Sequence, residues 1–237
     1  MNIGIIAAAR APTRRMAIYL CLALMLIFPL FASTAEHALG GLAQSIGEIP
    51  ARFVSEGAIW LFGSLVLGIA LLGEPRTLAS IGLRHPTLST ALWGIGAAIA
   101  LIALGGLASF VTYNVLHATN NTPAQIEALT RGSLGFGLFL APRAGVIEEV
   151  LYRGLAIEQL AVLTGRRWLA ALVATLAFIA VHTTHFDLRQ LIPITTVSFA
   201  LAGIYLWRRN LWINIIAHTL IDALAFTVLA LHLTRLY

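Results

Sequence analysis

The chain has 237 residues and a formal net charge of +5, with 59 % hydrophobic and only 11 % charged residues, and its mean hydropathy is +0.88. Soluble domains average about 45–50 % apolar and about 25 % charged residues, so a soluble enzyme, a disordered protein and a disulfide scaffold are excluded. The basic residues are all arginines, single or paired between apolar runs; this is a pattern of topology signals rather than a phosphate-tracking stripe, and nucleic acid is not an expected partner.

The first apolar run, Met16 to Ser33, follows Arg10, Arg14 and Arg15. It reads either as a membrane span with a cytoplasmic N-terminus or as a signal peptide cleaved near Ser33-Thr34-Ala35. The lone cysteine, Cys21, lies inside it, which rules out an intrachain disulfide and CxxC zinc chemistry. Residues 34–52 carry Glu36 and Glu48 and are assigned outside; Phe53 to Leu72 is the second span. The loop 74–89, with Arg76 and Arg84, returns to the cytoplasm. A third span, residues 91–112, is rich in Ala and Gly, which suits close helix packing.

His117 to Ser133 is polar and assigned outside, with Thr122-Pro123 predicted to start a short helix. From Leu134 to Leu163 the pattern predicts a long, mostly helical stretch, kinked or restarted at Pro142. Gly165-Arg166-Arg167 ends it on the cytoplasmic side. Trp168 to His182, Leu191 to Trp207 and Leu211 to Leu233 complete the spans; His185, Asp187 and Arg189 form an outer turn, and Arg208-Arg209 an inner one. The predicted fold is an all-α polytopic membrane helical bundle of about seven transmembrane helices, six if the N-terminal segment is cleaved. Two regions are expected: N-terminal transmembrane helices and loops over 1–133, and a core of chemistry-bearing helices over 134–237.

Charged groups inside spans cost several kcal/mol by most estimates and mark functional sites by default. Three sets stand out, all in the second half. Glu148-Glu149-x-x-x-Arg153 places Glu149 and Arg153 as an i,i+4 pair in the favourable order, leaving Glu148 to face another neighbour. Phe178-x-x-x-His182 puts an aromatic ring one turn from an imidazole. Asn214-x-x-x-His218-x-x-x-Asp222 forms a polar stripe on an otherwise apolar helix, where a carboxylate one turn from a histidine can fix its tautomer. Each set alone has a plain structural reading: a solvated salt bridge, an interfacial histidine, an interhelical hydrogen-bond seam. Together they are satisfied at least cost by facing one another around a common polar cavity.

In order, Glu148-Glu149-x-x-x-Arg153, Phe178-x-x-x-His182 and His218-x-x-x-Asp222 resemble the three motifs of the CPBP family, the CAAX-protease and bacteriocin-processing membrane proteins. The resemblance covers residues 134–230 closely, and Ser80-Ile81-Gly82-Leu83-Arg84-His85-Pro86 is similar to a softer feature upstream of that domain. It implies a helical intramembrane endopeptidase acting on a membrane-associated peptide or protein in the lipid bilayer. It also implies a general base at Glu148, a water-holding histidine at His182, and a third motif at His218 and Asp222. That motif ends in Asn or Asp. An ionised Asp222 cannot donate to an oxyanion, so the expected donor is a protonated Asp222, His218 oriented by Asp222, or Asn214.

Water activation by Glu148 is the simplest chemistry, because no Ser or Cys nucleophile stands beside a base. Glu149 and Arg153 then position it. A metal version uses the same atoms, with zinc held by Glu148, His182, His218 and Asp222. The chain has no HExxH, and a reaction without metal or other cofactor is the expectation. A proton-coupled transporter and a non-catalytic scaffold or immunity protein are the competing classes. Confinement of the charge to the second half disfavours the transporter. Arginine-only basic usage and small size point to a bacterial inner membrane.

Overall fold

The computed structural model describes residues 12–38, 40–73, 77–117, 133–183, 186 and 191–233, and these form helices, turns and loops with no strand among them. The chain makes two compact units, one drawn from Met1–Leu83 and Val150–Ala174, the other from Arg84–Glu149 and Thr175–Tyr237.

In the first unit, helix α1 (Pro12–Ala38) runs unbroken through Ser33-Thr34-Ala35. The short helix α2 (Gly40–Ile46) leads to α3 (Glu48–Gly73). Helices α1 and α3 approach closely where small residues meet: a Cβ on Gly73 would lie 2.7 Å from the Ala17 Cβ. Phe62 packs between Phe28 and Phe31, with ring centroids 5.6 Å and 4.6 Å away. Cys21 is buried, its thiol 3.7 Å from the Val66 carbonyl oxygen.

In the second unit, α4 (Leu88–Phe110) begins at Thr87, whose hydroxyl accepts from the Thr90 N–H at 3.2 Å. It ends in a π-helical turn, Val111–Val115. Helix α5 (Leu134–Glu148) starts the same way, Ser133 accepting from the Phe136 N–H at 3.2 Å. Ser and Thr suit these positions because their oxygens satisfy orphan amides of the first turn. Pro142 stays inside α5. The interruption comes later, in a π-helical segment over Glu149–Ala156, followed by α6 (Ile157–Thr164). Gly165 closes α6 at φ 68°, the left-handed cap for which glycine has no Cβ penalty. Helix α7 (Arg167–His182) passes from the first unit into the second. Helices α8 (Leu191–Arg208) and α9 (Leu211–Leu233) complete the chain.

Helix α9 packs chiefly against α5 and α4, and α8 against α4. Ala98, Leu101, Leu201 and Ala217 form one buried cluster, and Leu140, Ala141 and Phe226 another. Two glycines set the approach of α9. A Cβ on Gly94 would lie 2.7 Å from Ile216 Cβ. At Gly145 the space is filled by Thr219 Oγ1, with the Thr219 nitrogen at 3.0 Å and the Ile215 oxygen at 3.1 Å. Backbone atoms cannot yield as a flexible side chain can. Gly145→Ala is therefore expected to lower stability by about 1–3 kcal/mol, the usual penalty of overpacking. On the same helix Gly135 has open space, and Gly135→Ala should unfold at the wild-type temperature. Thermal unfolding in one detergent compares the two; equal melting of both variants would contradict the close crossing.

By length and composition, four described helices can cross a bilayer: Glu48–Gly73, Leu88–Val115, Leu191–Arg208 and Leu211–Val228. About seven spans are expected from apolar runs alone. Arg15–Phe31, part of the 27-residue helix α1, and Arg167–His182 are shorter apolar stretches; at ~1.5 Å per residue the 16 residues of Arg167–His182 rise about 24 Å, under the ~30 Å hydrocarbon thickness. The stretch from Leu134 to Thr164 is divided by its π-helical segment and holds Arg143, Glu148, Glu149, Arg153 and Glu158. The predicted helix at Thr122-Pro123 and the outer turn at His185, Asp187 and Arg189 lie outside the described residues.

Candidate active site

The geometry centres on His218, about a third of the way along α9. Its Nδ1 lies 2.8 Å from Oε1 of Glu149, whose side chain is wholly buried. Its Nε2 faces two further carboxylates, Asp222 Oδ2 at 3.6 Å and Glu148 Oε2 at 4.0 Å. Glu148 is the last residue of α5 and Glu149 opens the π-helical segment. The close crossing at Gly145, one turn earlier, brings both residues onto α9.

The spacing on a regular helix sends adjacent glutamates to different neighbours. Here both reach one imidazole, one on each ring nitrogen. The i→i+5 geometry that starts at Glu149 turns less per residue than an α-helix, and it is a feature often found at functional sites. The carboxylate that fixes the His218 tautomer is thus Glu149, a residue 69 positions away in the chain, and not Asp222 one turn on. At 3.6 Å Asp222 is in ion-pair range but beyond a good hydrogen bond.

Asn214 is fully buried. Its side-chain amide donates to the Leu201 carbonyl oxygen at 2.8 Å and to Glu149 Oε2 at 3.3 Å. Both N–H groups are engaged, and the group works as a brace on Glu149 rather than as a donor to substrate. Oδ1 of Asn214 is buried with no hydrogen-bond partner. Flipping the amide would face that oxygen with two other acceptors, so the orientation follows from its neighbours.

Arg143 is a member of the cluster that the spacing does not disclose. Its Nη1 lies 3.3 Å from Glu148 Oε1, with both side chains about six-sevenths buried, at 14 % and 15 % exposure. One Glu148 oxygen is therefore held by a guanidinium while the other faces His218. Arg153 lies in the π-helical segment and is buried.

His182, at the end of α7, is oriented from its own helix. Its Nδ1 is 2.9 Å from the Phe178 carbonyl oxygen. A carbonyl can only accept, so Nδ1 carries a proton and donates it there. Phe178 is buried, and its ring centroid lies 4.5 Å from the imidazole. The Phe186 ring lies 6.3 Å from the imidazole, with planes at 22°.

Among the described residues, no group of three or more His, Cys, Asp or Glu side chains is disposed to hold a metal ion. Arg143 already brings a cation to Glu148, and no step below is routed through a metal.

Charge buried on two packed apolar helices marks a functional site by default. Residues 130–224 match the family model of the type II CAAX prenyl endopeptidase, Rce1-like proteins. Over these residues, two fifths of the chain, the sequence is similar to the CAAX-type (CPBP) intramembrane proteases. No curated protein and no solved structure matches the chain. The four long apolar helices and the match to a membrane protease family support a multi-pass membrane protein.

Proposed function

We propose that this protein is an intramembrane endopeptidase of the bacterial inner membrane that hydrolyses a peptide bond in a membrane-associated peptide or protein. The supporting observation is the chain of contacts from Asn214 to Glu149 to His218, which ends at an Nε2 shared by Glu148 and Asp222. In this reading Glu148 takes the proton of the attacking water. Its Oε2 and His218 Nε2 are 4.0 Å apart, too far for a direct hydrogen bond and close enough for both to address one small molecule. Arg143 fixes the Glu148 carboxylate in that pose. His182, oriented through Nδ1 by the Phe178 carbonyl, holds the water from its own helix.

The oxyanion needs a donor. An ionised Asp222 cannot serve, and Asn214 is committed to Glu149 and Leu201. His218 remains. With Nδ1–H given to Glu149, its doubly protonated ring carries an Nε2–H toward the reacting carbonyl, and Asp222 balances that charge at 3.6 Å. Donors aimed at developing negative charge are typically worth ~10²–10³ in kcat.

The protein in lipid vesicles, incubated with a library of hydrophobic-tailed peptides and read by mass spectrometry, should yield new peptide termini. Substrate movement across the vesicle without cleavage would support a transporter instead, and neither change would support a scaffold.

A further inference from the structure

The Arg-rich end of the second unit, where α8 turns into α9, is built in a way that its role as a topology signal does not require. The turn holds Arg208 and Arg209, and no acidic residue occurs in 84–93 or in 203–212. The guanidinium of Arg208 lies 4.3 Å from the Trp93 ring centroid and 5.1 Å from that of Trp207. The two indoles meet edge to face, with centroids 5.3 Å apart and planes at 89°. Arg208 is half-buried in this frame, while Trp93 and Trp207 remain 42 % and 65 % exposed.

The rest of the turn is fixed to α4. Asn210 donates to Thr90 Oγ1 at 3.2 Å, and Trp212 Nε1 donates to the Arg84 carbonyl oxygen at 2.7 Å. Arg209 takes φ 51°, a left-handed conformation disfavoured for a non-glycine residue, and its guanidinium lies 5.2 Å from the Tyr205 ring. A cation held by two exposed indoles is oriented without being neutralised. Cation–π contact leaves all guanidinium N–H groups in the ring plane free to donate.

We propose that Arg208, framed by Trp93 and Trp207 and assisted by Arg84 and Arg209, binds the phosphodiester headgroup of an anionic phospholipid. The leaflet is the one that the arginine distribution makes cytoplasmic. Indoles sit at headgroup level, and a guanidinium donates to phosphate oxygens two at a time. The ligand is a membrane component, so its acyl chains lie along the exposed apolar flank of α4 that presents Leu92 and Trp93. One basic residue near an anionic surface is worth about a fivefold change in binding. The site is separate in the chain from Glu148 and His218, and it stands whether or not the protein cleaves peptides.

The test is native mass spectrometry of the purified protein from mixed micelles containing equal phosphatidylglycerol and phosphatidylcholine. Wild type should retain phosphatidylglycerol at least tenfold over phosphatidylcholine. Arg208→Gln should lose about fivefold of that preference, and Trp93→Leu should lose a comparable share while leaving every arginine in place. Equal thermal unfolding of the variants and wild type in phosphatidylcholine alone establishes that both variants fold. Arg84→Gln, away from the indole pair, serves as the second reading should either variant melt early. Excess soluble glycerol phosphate should not displace the lipid. Equal retention of the two lipids by wild type, unchanged preference in the folded variants, or displacement by glycerol phosphate would each overturn the proposal.

Discussion

Glu148→Gln should abolish peptide cleavage, lowering kcat/KM by about 10²–10⁴, the contribution of a general base, with the fold intact. The substitution keeps the volume and an oxygen for Arg143, which is 3.3 Å from Oε1. It removes the basic oxygen that faces His218 at 4.0 Å. Because Glu148 closes α5 and is only partly accessible, loss of its charge also leaves Arg143 with a weaker partner, so some change in melting temperature is expected. That change separates from catalysis by measurement: Arg143→Gln relieves the same imbalance from the other side and retains the base. Cleavage by Glu148→Gln within threefold of wild type would remove Glu148 from the mechanism.

The three polar sets are legible in the sequence because buried charge is conspicuous in apolar helices. Spacing alone puts Phe178 and His182 on one face, and their rings indeed lie 4.5 Å apart. It also puts His218 and Asp222 one turn apart, and the structure has them at 3.6 Å. The all-α character follows from composition and the absence of alternating runs. Element ends follow from local chemistry, as at Gly165, where the predicted stop coincides with a left-handed cap.

The rest depends on geometry that residue spacing does not encode. Arg143 and Glu148 are five apart, a separation that on a regular α-helix points the side chains well away from each other. Only the reach of arginine at the end of α5 joins them. The bond between Glu149 and His218 depends on the switch to π-helical geometry at Glu149, and nothing in Glu149-Val150-Leu151-Tyr152 announces that switch. Asn214 is conspicuous as a buried amide, but its role follows from two acceptors on other elements, Leu201 on α8 and Glu149 65 positions away. Helix length has the same character. The apolar run ending at His182 looks like a span until the rise of its 16-residue helix is set against the hydrocarbon thickness.

Glu149→Gln should be nearly as damaging to activity as the loss of the base, by a different route. Glu149 is wholly buried and accepts from two donors at once, His218 Nδ1–H at 2.8 Å and Asn214 Nδ2–H at 3.3 Å. A glutamine offers one oxygen and one NH₂. With its oxygen toward His218, its NH₂ meets the Asn214 NH₂, two donors facing each other. With its NH₂ toward His218, Nδ1 must become the acceptor, and the ring is forced into the opposite tautomer with its proton fixed on Nε2. The first arrangement leaves a buried donor unpaired, which costs about 1–3 kcal/mol. The second removes the carboxylate that balances a doubly protonated ring. Either way His218 loses its proper state at the reacting carbonyl, and kcat should fall by about 10²–10⁴, the range seen when an imidazole's orienting carboxylate is neutralised. KM should change little, because Glu149 is too deep to touch substrate. Asn214→Ala provides the graded comparison: it removes the brace and keeps the charge, so activity should fall by about tenfold or less, with the greater part of the effect in thermal stability. If Glu149→Gln turned over peptide at the wild-type rate, His218 would not be working through Glu149, and the oxyanion would have to be stabilised from elsewhere.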